Sequence, residues 1–143
     1  VRTEIEIGGK LDMPYINKKG TPLKLIGYVS CITDGKYKIT GPQFTGIDAF
    51  MGKTVVFKTS ECEIVVTENL QEPWDIGVFT SVGINPAMKK YLILKSRMYF
   101  RPIFEPISTA VVYCAGSGVT SSDWNLFNYK NIRRPIYPLD QNI

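Results

Sequence analysis

The segment from Lys95 to Ile107, KSRMYFRPIFEPI, follows the apolar run Tyr91 to Leu94 with no turn residue between them. It sets a lysine, a serine and two arginines among methionine, tyrosine, phenylalanine and isoleucine. These types carry binding chemistry: a lysine ammonium is a compact positive charge, a serine hydroxyl donates and accepts hydrogen bonds, and an arginine fork matches carboxylates. Lys95, Ser96 and, about one helical turn further on, Arg101 read as a polar cluster facing a shared pocket. A plainer role stays open for the same residues, in which Lys95 and Arg101 extend to solvent and Ser96 caps a helix. Met98, Phe100, Ile103 and Phe104 read as core.

Several other chemistries are closed by composition. The chain has no histidine, which removes a Ser-His-Asp triad, a Cys-His pair and an HExxH zinc helix. Cys31, Cys62 and Cys114 are odd in number and widely spaced, and they fit thiols in a reducing compartment, by default the cytoplasm. The carboxylate pairs Glu4/Glu6 and Glu61/Glu63 alternate with apolar residues and read as solvated strand faces. GSGV, from Gly116 to Val119, lacks the lysine and helix pattern of a phosphate cradle. No catalytic residue, metal ligand set or cofactor is therefore expected in this chain. Its 17 basic and 13 acidic residues are dispersed, a balance that suits a small anionic ligand better than a duplex. No apolar stretch approaches the ~20 residues of a membrane span.

The elements that must position the cluster follow from periodicity. With 143 residues and 44% hydrophobic content, one domain with sub-regions 1–70, 71–115 and 116–143 is expected. Arg2 to Ile7 alternates as a strand and stops at Gly8-Gly9. Leu23 to Ile32 and Tyr37 to Thr40 flank Asp34-Gly35 and predict a hairpin. Gly41 to Gly46 is a loop, and Lys53–Lys58 and Glu63–Thr67 are further strands. Beyond Pro73, Trp74, Val78, Phe79 and Val82 fall at helical spacing, with Gly83 at the terminus. Tyr91 to Leu94 and Thr109 to Cys114 read as covered strands joined by a helix through Tyr99 to Phe104, with Pro102 in its first turn. The fold class is thus α+β: an antiparallel β-meander in the first half, then a βαβ-like unit and an extended C-terminal tail. In that unit Lys95 and Ser96 sit at a strand's exit, where ligands tend to bind.

The segments DGKYKITGPQFTG, VFTSVGINP, YLILKSRMYFRPIFEPI, GSGVTSSD and YKNIRRPIYPLD, in this order and over essentially the whole chain, resemble the C-terminal domain of the MlrC family, the microcystin-degrading, M81-type metallopeptidases. RRPIYPLD is the most specific of them. The resemblance implies a parent similar to bacterial zinc hydrolases, whose larger N-terminal domain holds the metal through Asp and His. This chain, which opens abruptly at Val1 in strand pattern, is then a fragment whose partners are that missing domain and a peptide-like substrate, with no membrane and no nucleic acid.

Carried over residue by residue, the resemblance matches Lys95-Ser96 and Phe100-Arg101 to the family's Lys-Ser and Phe-Arg. Tyr99 stands where the pattern has His; a tyrosine hydroxyl donates a hydrogen bond but, with an ordinary pKa of ~10, is a poor base near neutrality. Gly41-Pro42 with Gly46, and Gly118 with Thr120 and Asp123, match further loops. Arg133 and Arg134 could reach an anionic group, or their extended tail could simply pack along the domain. The candidate substrate-binding residues are therefore Lys95, Ser96, Tyr99, Arg101, Thr120, Asp123 and Arg133. A different class of function, a stand-alone β-rich module for an anionic ligand or single-stranded nucleic acid, would stack bases on Tyr28, Tyr37 or Phe57.

Overall fold

The structure, a computed structural model, describes residues 1–116, 118 and 120–141. Ser117 and Val119 of the GSGV segment, and Asn142 and Ile143 at the end of the tail, lie outside the described residues. The described strands are β1 (Thr3–Ile7), β2 (Leu23–Thr33), β3 (Lys36–Lys38), β4 (Asp48–Phe50), β5 (Thr54–Lys58) and β6 (Glu63–Thr67); the helices are the single turns α1 (Gly77–Thr80) and α2 (Arg101–Phe104). The chain divides into two compact units, one of Val1–Glu4 with Ile26–Val111 and one of Ile5–Leu25 with Val112–Ile143.

β5 lies antiparallel between β2 and β6, and the four-stranded sheet has the order β1-β2-β5-β6. The β-branched and aromatic run Val55-Val56-Phe57 favours this central position. Cys31, Val56 and Val65 are aligned across the three strands and pack with Val82, Ile84 and Phe79 to form the core. A bulge between Val29 and Cys31 inserts Ser30, whose hydroxyl donates to the Val56 carbonyl at 3.3 Å. The fold is α+β, and its first half is an antiparallel meander, as the alternation of the strands implies.

Two details of the expected topology are corrected. Asp34-Gly35 does not close a hairpin: β2 pairs with β5, while β3 pairs with β4 in a separate two-stranded sheet. Gly35, at φ +73°, lies so close to Gly52 that a Cβ would meet the Gly52 carbonyl at 1.9 Å, and its own carbonyl accepts from Met51 N–H at 2.8 Å. The dipeptide therefore makes a bend clamped by the β4–β5 turn and delivers the chain from one sheet to the other. The βαβ-like unit also lacks its strands, because Tyr91–Leu94 and Thr109–Cys114 join no ladder. Leu92 and Leu94 are half-buried but Tyr91 and Ile93 are exposed, and residues 109–114 are exposed throughout. Neither run is covered on both faces, as a parallel strand must be.

The helical expectations hold in shortened form. α1 lies within the Trp74–Val82 pattern and ends where Gly83, at φ +78°, donates to the Thr80 carbonyl and Ile84 to that of Phe79. α2 carries Pro102 in its first turn, where a missing N–H costs nothing. Phe104 of α2 meets Phe79 of α1 edge-on at 5.8 Å. Phe100 and Phe104 are buried and Ile103 half-buried, whereas Met98, expected in the core, is 62% exposed.

The second unit contains a loop after β1, where Asp12 Oδ1 accepts from Gly20 N–H at 2.8 Å and Met13 bridges Lys18 around the 3-10 turn Pro14–Ile16. Asn128 N–H donates to the Tyr15 carbonyl at 3.0 Å. At its C-terminal end the Arg134 fork grips both Asp140 oxygens, and Ile136 N–H donates to Asp140 Oδ2 at 2.6 Å.

Candidate functional site

The tightest polar arrangement in the first unit centres on Asp75, which is fully buried. Its Oδ2 accepts from Gly41 N–H at 2.7 Å and Thr40 N–H at 3.2 Å, and its Oδ1 accepts from Gly77 N–H at 2.7 Å. One carboxylate thereby joins the start of α1 to the loop after β3, and its charge is balanced by three backbone donors. The loop approaches so closely that a Cβ on Gly41 would meet Ile103 Cδ1 at 2.3 Å and Asp75 Oδ2 at 2.9 Å. At Gly77 a Cβ would strike the Tyr37 ring at 2.1 Å. The Tyr37 phenol is pushed up to about 12, first by burial and then by the Asp75 charge. Tyr37 Oη, Trp74 Nε1 and Gln43 Oε1 are shielded from solvent without an aligned hydrogen-bond partner.

Outward from this knot lies an aromatic surface. Trp74 meets Phe44 at 6.0 Å between ring centroids and meets Tyr99 edge-on at 6.5 Å. Phe44 holds a left-handed backbone at φ +61° and Tyr99 is half-exposed. Two residues before Trp74, the Glu72 carboxylate accepts a hydrogen bond from Ser96 Oγ. Ser96 therefore does not cap α2, whose N-cap is Phe100. Lys95 is exposed and has no ion-pair partner among the described residues. Arg101 faces Glu105 one turn on, Nε to Oε1 3.6 Å, an exposed pair of small energetic consequence. Ser96 and Tyr99 are thus tied to one local surface through Glu72 and Trp74.

The remaining candidates fall in the second unit. Asp123 Oδ1 accepts from Asn125 N–H at 3.1 Å and caps the 3-10 turn Trp124–Leu126. Thr120 and Arg133 are exposed. Arg134, considered with Arg133 for an anionic group, is occupied by Asp140. That contact, followed by the Ile136 N–H, holds the Asp140 carboxyl at about 2.

Sequence reasoning did not single out Glu72, Asp75 or Phe44. Asp75 left a signal, since an aspartate immediately before a helical run is an N-terminal capping pattern. Phe44 left none, because nothing about a phenylalanine predicts φ > 0. Glu63, expected on a solvated strand face, is held between Lys89 and Lys58, with Lys58 Nζ 3.0 Å away, and the two cations draw its carboxyl below the ordinary range. Of the residues considered for base stacking, Phe57 is only 1% exposed and cannot present a ring face, and Tyr37 is half-buried.

The fold is α+β with an antiparallel sheet, and an aromatic surface of Phe44, Trp74 and Tyr99 adjoins the buried Asp75 carboxylate. The chain belongs to the MlrC C-terminal family: the model of the family described as MlrC C-terminus matches residues 1–131. It is also similar to Microcystinase C of Sphingomonas sp, at 24% identity over 136 residues, which cover 95% of this chain and 24% of that protein. The chain thus spans about a quarter of the length of that curated relative.

Proposed function

We propose that this chain is the non-catalytic C-terminal portion of an MlrC-like zinc metallohydrolase that cleaves peptide or amide bonds in the cytoplasm. It contributes part of the substrate pocket, while an N-terminal portion of the parent protein carries the metal. The observation that carries the reading is the family match over residues 1–131, and the name of the microcystinase relative supports a peptide-type substrate. Three free cysteines, two of them exposed, support a reducing compartment.

The residues of this chain do not fit a zinc site. A catalytic zinc takes three protein ligands and keeps one position open, yet the chain has no histidine and, among the described residues, no group of three Cys, Asp or Glu converges. Asp75 is committed on both oxygens to backbone N–H groups. Zinc held elsewhere in the parent would supply a Lewis acid and an activated water; what this chain supplies is binding. Lys95 gives a positive charge for a carboxylate or polarised carbonyl of the substrate. Ser96, oriented by Glu72, and Tyr99, braced on Trp74, provide hydroxyl contacts on the same surface. Arg101 is a further substrate contact in this reading.

The test is kinetic. The full-length parent is expected to hydrolyse a peptide amide in a zinc-dependent manner and the 143-residue chain alone to be inactive. Lys95→Ala in the parent should lower kcat/KM about tenfold or more, the worth of one charge-assisted hydrogen bond, with an unchanged thermal midpoint. Unchanged kinetics would return Lys95 to the role of a solvated surface cation.

A further inference from the structure

The sheet is apolar on both faces, and the cluster of Val56, Val82 and Ile84 packs on one of them. On the core side Cys31, Val56 and Val65 lie beneath Val82, Ile84 and Phe79. On the opposite side the register aligns two rows across the same three strands: Ile32–Val55–Val66 and Val29–Phe57–Ile64. The bulge between Val29 and Cys31 brings both rows onto one face, since Val55 and Phe57, and likewise Ile64 and Val66, are two residues apart. An antiparallel sheet with one face in water alternates apolar with polar residues; VVF and IVV do not. Phe57 on this face is buried, at 1% exposure, yet Ile32 is 72% and Val29 43% exposed, and Val55, Ile64 and Val66 are only half-buried.

We infer that this face, centred on Ile32, Val55 and Val66, is the seat of the N-terminal portion of the parent polypeptide. Neither row holds a charge, so the surface matches an apolar protein face and not a nucleic acid or an acidic peptide. The occupant is at hand, because about three-quarters of the microcystinase relative lies outside the matched region. A portion joined in the same polypeptide meets the face at high effective concentration. The inference rests on the proposed function for the existence of that portion only. Neither zinc nor hydrolysis enters it.

The experiment is thiol protection. Ile32→Cys and, as a control away from this face, Lys36→Cys are made in the full-length parent and in the 143-residue chain. The Lys36 side chain is 70% exposed. Maleimide modification at each position is timed by fragmentation mass spectrometry, which separates position 32 from Cys31. In the parent, position 32 is expected to react at least about tenfold more slowly than position 36, while in the dilute lone chain the two should react at similar rates. Equal rates in the parent would overturn the inference. Protection in the lone chain that grows with protein concentration would also overturn it, since the occupant would then be a second copy. Ile32→Glu supplies a second reading: it should leave the lone chain's thermal midpoint unchanged and speed the proteolytic separation of the parent's two portions several-fold, and no change in that cleavage would count against the assignment. A parent protected at position 32 but devoid of zinc-dependent hydrolysis would sink the proposed function and leave this surface standing.

Discussion

Every buried apolar side chain among the described residues, from Ile39 to Phe104, belongs to the first unit, as do the buried polar residues Thr54 and Asp75. In the second unit the described side chains are half-buried or exposed, and its loops are tied by exposed hydrogen bonds such as Asp12–Gly20 and Arg134–Asp140. The difference is one of environment, because a hydrogen bond removed from water leaves costly orphans when it is broken, whereas an exposed one is exchanged for water. Aspartate shows this best. Asp75 and Asp123 both accept backbone N–H groups at the start of a helical turn, yet the first is fully buried and the second exposed.

The largest effect expected follows from that pair. Asp75→Ala leaves the amides of Thr40, Gly41 and Gly77 without their acceptor, and at ~1 kcal/mol or more for each it should cost at least ~3 kcal/mol. Asp123→Ala removes one exposed cap and should cost only ~0.5–1 kcal/mol. Urea midpoints measured on both variants decide it, and equal losses would erase the distinction between the units. A middle-sized effect is expected at Gly41. Gly41→Ala drives a methyl into Ile103 and the Asp75 carboxylate, so ~1–3 kcal/mol should be lost by overpacking. A loss of that size confirms that the loop and α2 are pressed together by the knot; a neutral result would show that Ile103 gives way.

The same contrast explains what could be read from the residues. β5 and β6 were legible almost to the residue, because KTVVFK and EIVVT carry β-branched runs whose burial fixes their state. The partner of β2 was not legible: Asp34-Gly35 specifies a bend locally, but the strand it leads to is chosen by long-range packing around Gly35 and Gly52. Tyr91–Leu94 misled for a related reason, since a short apolar run reports burial and says little about pairing. At the candidate site, Ser96 and Tyr99 were found as types at a spacing, while Glu72 and Trp74, which position them, lie more than twenty residues away in the chain. In the second unit the closing RRPIYPLD motif, Arg133 to Asp140, lies beyond residues 1–131 that the family model matches, and only the fold shows its physical use. Its arginine and aspartate bind each other.

That pair gives the smallest expected effect and a clean sign. The Asp140 carboxyl sits at about 2, held down first by the Arg134 hydrogen bonds and then by the Ile136 N–H. Its ordinary value is near ~3.9. A carboxyl depressed on folding contributes stability that is fully present above the ordinary value and is lost as pH falls through the depressed one. The turn from Arg134 to Asp140 should therefore loosen between about pH 4 and 2. Arg134 stays charged throughout, and the partly exposed pair is screened by solvent, so the global unfolding midpoint should barely move. Carbonyl carbon shifts of Asp140 and the amide shift of Ile136 report the step directly, and Asp140→Asn should abolish it. A titration midpoint near the ordinary aspartate value would mean that the fork is not closed in solution. The turn from Arg134 to Asp140 would then lose the contact that closes it.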